Sequence, residues 1–357
     1  MPLALAPYLE AMFPGCHVES IEPLAPDSGA GAATAKATGF AQPVRVRLRD
    51  ERGRARELVW RTQAANAYGH DRRADRAQQC LLAFDDFGGM PRHVQAIDVG
   101  FVSADGRLRS VRDGGEPFLL TSYAPGRPYA DDLRRVAADG VATGLDLARA
   151  DALAAYAAAL HGQPRPQASY RRAIRDLIGH GEGLFGIVDS FPDDVPAAPP
   201  ERLRAIERRC VDWRWRLRGR DRLAHTHGDF HPFNVVFRDD VDFTALDASR
   251  GCAGDPADDV IAMSINYVFF AIEHRASWRR GLGPLWRRFW DAYARARVDD
   301  ELALAAPPFL AWRGLVLANP RFYPALSPAA RDALLGLVER VLDDARLDRE
   351  RVEELFA

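Results

Sequence analysis

The stretch His225–Asn234, HTHGDFHPFN, places three histidines and an aspartate within seven positions. Two chemistries use such residues. In the first, His225, His227 and Asp229 alternate along a strand-to-loop segment and converge on zinc, which activates a water molecule. That order calls for a histidine directly after the aspartate. Here Phe230 stands in that place and His231 arrives one residue late, while only His274 follows further on. Metal-ligand distances tolerate a few tenths of an ångström, so the slip weakens a cage of His225, His227, Asp229 and His231. In the second chemistry the pair that matters is Asp229 and Asn234, five residues apart, which is the catalytic-loop spacing for phosphoryl transfer. The aspartate accepts or orients the proton of an attacking hydroxyl. The asparagine oxygen is a neutral, hard ligand for Mg²⁺. Pro232 stiffens the loop between them.

Such a metal needs a carboxylate as well. Downstream, VVF and FTAL read as two short strands around the turn RDDVD, and Asp247 ends the second. The hairpin returns Asp247 to the vicinity of Asn234. Asp255, ahead of Pro256, reads as a helix cap.

The elements that must position these residues fall into two styles. Up to about residue 120 the chain is strand-rich. Residues 3–13 show helical spacing, HVESIEPLA and VRVRLRD read as strands, and ELVWRTQ alternates in period two. Residues 70–84 read as a helix, and HVQAIDVGFVSADGRLRS and PFLLTSYAPG as further strands. From Pro128 onward helices dominate: DLARADALAAYAAALHG with Leu153, Tyr156, Ala157 and Leu160 on one face, then 201–218, 283–297, and a run capped by Ser327. The pattern predicts an α+β protein, a strand-rich part at 1–120 followed by a helical part at 128–357.

Composition narrows the classes. A net charge of −2 and an apolar fraction of 47% give no basic footprint for nucleic acid. Cys16, Cys80, Cys210 and Cys252 are scattered and read as reduced thiols. The N-terminus lacks the basic flank of a signal peptide, and VIAMSINYVFFAI is too short to span a bilayer. The expectation is a cytoplasmic monomer or homodimer with no membrane partner.

HGDFHPFNVVF, followed by LDASRGCAGDPADDVIAM, resembles the aminoglycoside phosphotransferase and choline kinase-like family, whose fold is protein-kinase-like and bilobal. The family's signature is HGD-x4-N, a later aspartate, and G-D-P-x-x-D ahead of a helix; all occur here in order within residues 225–262. The resemblance implies an Mg²⁺- and ATP-dependent phosphotransferase, GTP not being separable from ATP, that moves the γ-phosphate to a hydroxyl of a small acceptor. It makes Asp229 the catalytic base, gives Asn234 and Asp247 to Mg²⁺, has Asp259 tie the following helix to the catalytic loop, and has His227 brace that loop. The resemblance also implies that residues 1–120 are the N-terminal nucleotide-binding lobe, 121–127 a hinge and 128–357 the C-terminal helical lobe. The adenine is expected along residues 121–125, with Ser122 and Tyr123 contacting the nucleotide, and Ser28, Gly29 and Gly31 covering the phosphates.

Two departures bear on the nucleotide. Arg61 stands where such a fold carries its phosphate-binding lysine; Lys36 is the one lysine of the chain. The helix meant to supply a glutamate partner has none, leaving Asp75, or Gln78 and Gln79. A nucleotide-binding protein without transfer activity is therefore the alternative, with the histidine metal cage third. A cationic acceptor would call for clustered carboxylates; Glu273, Asp291, Glu353 and Glu354 read as helix-surface charges.

Overall fold

The computed structural model describes residues 4–24, 43–66, 69–163, 165, 169–248 and 250–356. The chain divides into two compact units, Met1–Thr121 and Ser122–Ala357. An N-terminal β-sheet precedes a mostly helical remainder, the α+β arrangement expected.

In the first unit, helix α1 (Leu5–Met12) precedes strands β1 (Cys16–Pro23), β2 (Val44–Asp50) and β3 (Ala55–Trp60), which form an antiparallel sheet in that order. Alternation explains β2. Val46 and Leu48 point inward and are fully buried with Leu5 and Leu9 of α1. The arginines between them point outward and pair across strands, Arg45 and Arg47 with Glu57 and Arg49 with Glu19. Helix α2 runs Arg73–Phe87, three residues later than the sequence suggested, and β4 (Gly100–Val102) and β5 (Leu108–Ser110) make a hairpin. The strand expected over PFLLTSYAPG does not form. Residues 117–126 are irregular, and pairing begins only at β6 (Arg127–Pro128). Among the described residues no strand pairs with this run, and an apolar run without ladder hydrogen bonds does not make a strand.

The second unit opens with β6, then α3 (Tyr129–Asp139), α4 (Gly144–His161), α5 (Tyr170–Gly179), α6 (Leu184–Asp189) and α7 (Pro200–Leu217). Strands β7 (Val235–Phe237) and β8 (Phe243–Ala245) follow, then α8 (Pro256–Ile272), α9 (Leu282–Ala296), α10 (Leu302–Ala318), α11 (Pro328–Asp343) and α12 (Arg349–Glu353). Helix α8 is apolar nearly all round, and such a helix must be covered on every side. It packs against α9 and α10; α4 lies on α9, and α11 on α10. Leu153 and Ala157 of α4 are buried in this core, and Ser327 caps α11 through Ala330 N–H. Among the described residues no helix is long and apolar enough to cross a membrane.

A small antiparallel sheet in the order β6-β7-β8 carries the site. β6 reaches β7 because Gly126 has φ +138° and no side chain; a Cβ there would lie 2.3 Å from the Phe237 carbonyl oxygen. Gly126→Ala is therefore expected to lose more than about 1 kcal/mol of stability, since the residue must leave a backbone region that L-residues avoid. Urea unfolding of the variant against the parent protein measures it.

Candidate functional site

The loop that precedes β7 is pinned from α8. The Asp259 carboxylate, fully buried, accepts the His227 N–H at 2.7 Å and the Gly228 N–H at 2.8 Å. His161, the last residue of α4, faces the same carboxylate with Nε2 at 3.1 Å and Tyr293 Oη with Nδ1 at 2.8 Å. A carboxylate only accepts, so Nε2 carries the proton. Burial pushes the Asp259 carboxyl up, but His161 and the two backbone amides outweigh it and hold it below the usual carboxylate range. Gly228 sits at φ +81°, where a Cβ would come within 2.9 Å of the Gly251 carbonyl. That close approach explains the glycine of HGD.

The turn that follows leaves Asp229 half-buried. Its backbone N–H donates to His227 Nδ1 at 3.2 Å, so His227, buried and with its ring pushed toward the neutral form by that burial, shapes the loop from inside. Asp229 Oδ2 accepts the Asn234 side-chain amide at 2.9 Å and lies 3.4 Å from His231 Nε2. The same amide also donates to the Asp229 carbonyl at 3.1 Å. Oδ1 accepts Arg313 Nη2 at 2.6 Å. Burial alone would raise the Asp229 carboxyl; the His231 ring and the Arg313 and Arg250 guanidiniums overcome it and hold the group well below the usual carboxylate range.

Asp247 comes to Asn234 through the hairpin. Val235 pairs with Ala245, and Leu246 N–H donates to the Asn234 carbonyl at 2.8 Å. The next residue, Asp247, takes φ +52°, a left-handed turn that aspartate tolerates better than most side chains. It is exposed and joins none of the described ion pairs. The Asn234 amide spends its N–H₂ on Asp229, which leaves its oxygen for another partner. An amide oxygen and a carboxylate outside the described ion pairs, flanking the paired strands of one hairpin, are of the donor types that suit Mg²⁺.

Asp255 has more to do than cap α8 through Ala257 N–H. It also accepts Arg222 in a two-pronged pair at 2.9 and 3.0 Å and the Tyr170 hydroxyl at 2.7 Å. Arg222 in turn grips Asp299.

The histidine cage does not form. Among the described residues no group of three or more His, Cys, Asp or Glu side chains could hold a metal. His225 turns to the Gln163 side chain at 2.8 Å and to Arg165 at 2.7 Å, while His227 is occupied by the Asp229 N–H. Asp229 and His231 meet at 3.4 Å, but His225 turns away from them.

The nucleotide-lobe candidates lie in the first unit or at the start of the second. Arg61 falls one residue past β3, its guanidinium 5.4 Å above the Phe87 ring. Asp75 accepts the Arg72 backbone N–H at 2.8 Å at the start of α2, and the expected Arg61–Asp75 pair is not among the described ion pairs. Gln79 meets His70. Ser122 and Tyr123 lie in the irregular segment before β6. Ser28, Gly29, Gly31 and Lys36 lie outside the described residues. Glu273 accepts the Ser327 N–H, Asp291 pairs with Arg349, and Glu353 pairs with Arg287. These three are structural surface charges.

The sequence reading missed His161, Arg250 and Arg313. Arg313 had a signal: it is the one charge inside α10, LALAAPPFLAWRGLVLA, and a lone charge in a buried apolar helix needs a partner. Arg250 follows Asp247 by three residues and grips Asp258 with Nη2 at 3.0 Å to each oxygen.

No protein-family model matches the chain, and no curated protein does. Solved structures of several phosphotransferases are similar to it. One is a glucosamine kinase in complex with glucosamine, ADP and inorganic phosphate, 22% identical over 62% of this chain and 64% of that one, TM-score 0.46. The chain thus spans less than two thirds of that kinase. An aminoglycoside-3'-phosphotransferase of type VIII is 19% identical over 94% and 97% of the two chains, TM-score 0.33. A macrolide 2'-phosphotransferase from Brachybacterium faecium is 16% identical over 97% and 100%, TM-score 0.30.

The pinning of the loop gives a prediction. Asp259→Asn keeps one acceptor oxygen but sets an N–H₂ against the donors on the other, at about 1–3 kcal/mol for each left unsatisfied. Because the native Asp259 carboxyl is held below its unfolded value, its stabilisation is complete above the unfolded pKa and fades as pH falls. Chemical unfolding of parent and variant should therefore differ most near neutrality and converge below pH ~4.

Proposed function

We propose that this protein is a kinase of a small hydroxyl compound, using Mg²⁺ and a nucleoside triphosphate. One observation carries the reading. A single hairpin sets Asp247 beside Asn234, and the Asn234 side chain is hydrogen-bonded to Asp229. A proton-handling carboxylate and two candidate oxygen donors for a cation thereby converge on one residue, since Asn234 meets Asp229 through its side chain and, through its backbone carbonyl, Leu246, the residue before Asp247. Asn234 and Asp247 are assigned to Mg²⁺, which when bound supplies charge neutralisation at the phosphates. Asp229 is assigned to the acceptor. Its carboxylate receives a hydrogen bond from the acceptor hydroxyl and aims the oxygen at the γ-phosphorus. The new P–O bond forms, the bond from that phosphorus to the nucleoside diphosphate breaks, and the hydroxyl proton passes to Asp229.

The electrostatics refine this role. Arg313 and Asn234 each hold one oxygen of Asp229. Asp229 is assigned to orient the hydroxyl and take its proton as the P–O bond forms, which suits a loose phosphoryl-transfer transition state. Arg61 is assigned to the nucleotide phosphates, since a guanidinium can fork onto their oxygens where a lysine would offer a point charge.

A second reading, nucleotide binding without transfer, is favoured by one feature: α2 carries no glutamate, and its Asp75 accepts a bond at its own helix start. Thermal shifts separate the readings. Nucleotide at a hundred times its dissociation constant stabilises the protein by about 2.7 kcal/mol. The kinase reading expects an Mg²⁺-dependent shift with ATP or GTP that Asp247→Asn abolishes. Asp229→Asn should keep that shift and lose transfer to an acceptor by roughly 10²–10⁴-fold. A wild-type shift with no transfer to any hydroxyl compound would favour the binding protein, and a shift with zinc alone would sink both.

A further inference from the structure

Helix α10 is built from apolar residues, yet it buries one guanidinium. Arg313 is 5% exposed, and its Nε makes no hydrogen bond. Burying a charge is costly unless it meets a partner, and an arginine that serves packing alone is replaced at lower cost by an apolar side chain. The one described ion pair of Arg313 is with Asp229, Nη2 to Oδ1 at 2.6 Å. Its direction is fixed by the preceding residue. Trp312 is buried, donates from Nε1 to the Glu182 carbonyl at 3.0 Å, and lies against the Arg313 guanidinium, whose central carbon is 4.1 Å from the ring centroid. Arg250 lies against the same ring at 4.0 Å while gripping Asp258. The guanidinium is thus clamped before any ligand arrives.

The other carboxylate oxygen is held from the loop itself, by Asn234 and His231. Without Arg313, only groups on one side of Asp229 would restrain its rotation. An orienting carboxylate works by geometry, and a misplacement of about 1 Å can cost 10²-fold in rate. We propose that Arg313 is a positioning residue for the transfer step: α10 presents its guanidinium to Asp229 Oδ1 and locks the carboxylate in the orientation that meets the acceptor hydroxyl. The inference rests on the kinase reading above and adds to it a residue outside the catalytic-loop motif.

The test follows nucleoside diphosphate release from Mg²⁺-ATP, with water and a panel of sugars and amino sugars as acceptors. Arg313→Met should lower kcat by roughly 10–100-fold while KM for ATP and the Mg²⁺-dependent thermal shift stay within about twofold. Arg313→Lys should retain part of the rate, and added guanidinium ion should restore part of it to Arg313→Ala. Because Arg313 acts through Asp229, adding Arg313→Met to Asp229→Asn should cost little further rate; Arg313→Lys, which keeps the charge, covers the case in which the Met variant folds poorly. Wild-type kcat in Arg313→Met, or full additivity in the cycle with no rescue by lysine or guanidinium, overturns the inference and leaves the kinase reading intact. Wild-type protein that shows neither an Mg²⁺-dependent nucleotide shift nor diphosphate release overturns both.

Discussion

The site depends on one buried carboxylate receiving two consecutive backbone N–H groups. Asp259, from the first turn of α8, accepts the amides of His227 and Gly228. Paired amides pointing the same way force the chain into a tight turn, and Gly228 supplies the left-handed conformation that the turn needs. The residue leaving that turn is Asp229. Its placement is thus decided by α8, and α8 is itself fixed by burial on nearly every side. His161 and Tyr293 extend the same hydrogen-bonded chain into α4 and α9. A loop that would be mobile in isolation is thereby tied to the most buried helix of its unit.

Charge is distributed around this frame with one exception. The buried acids of the region and the half-buried Asp229 each have a basic partner: Asp255 with Arg222, Asp258 with Arg250, Asp259 with His161, Asp229 with Arg313. Such pairing offsets part of the cost of burying a carboxylate, although at Asp258 burial outweighs Arg250 and still pushes the carboxyl up. Asp247 differs. It is exposed, joins no described ion pair and ends a hairpin in a left-handed turn. A carboxylate kept out of the arginine network is available to a cation, whereas one already bonded to a guanidinium is not. The same contrast separates Asp229, held by Arg313, from Asp247, which is exposed.

Several parts of the fold were legible because local pattern and tertiary environment agree. VRVRLRD alternates and becomes β2 with Val46 and Leu48 inside. Ser327 and Asp255 cap the helices they precede. VVF and FTAL form their hairpin around the expected turn. Other parts failed where pattern alone was the warrant. PFLLTSYAPG is rich in apolar residues but has no ladder, and the helix at 70–84 starts three residues later, at Arg73, where the Asp75 side chain accepts the preceding N–H. The histidines of HTHGDFH are close in sequence, yet His225 turns toward Gln163 and Arg165.

By itself the sequence determined the spacing of Asp229, Asn234 and Asp247, the glycine between His227 and Asp229, and the aspartates of GDPADD. These are local relations, set by how many residues a turn or hairpin needs, and spacing along the chain records them directly. Only the tertiary structure decided which partner each acid receives. Arg313 is 84 residues from Asp229 along the chain, and His161 is 98 from Asp259. No periodicity encodes those contacts. They arise because α4, α8, α9 and α10 bury their apolar faces together, and the few charged side chains carried into that core must end against one another.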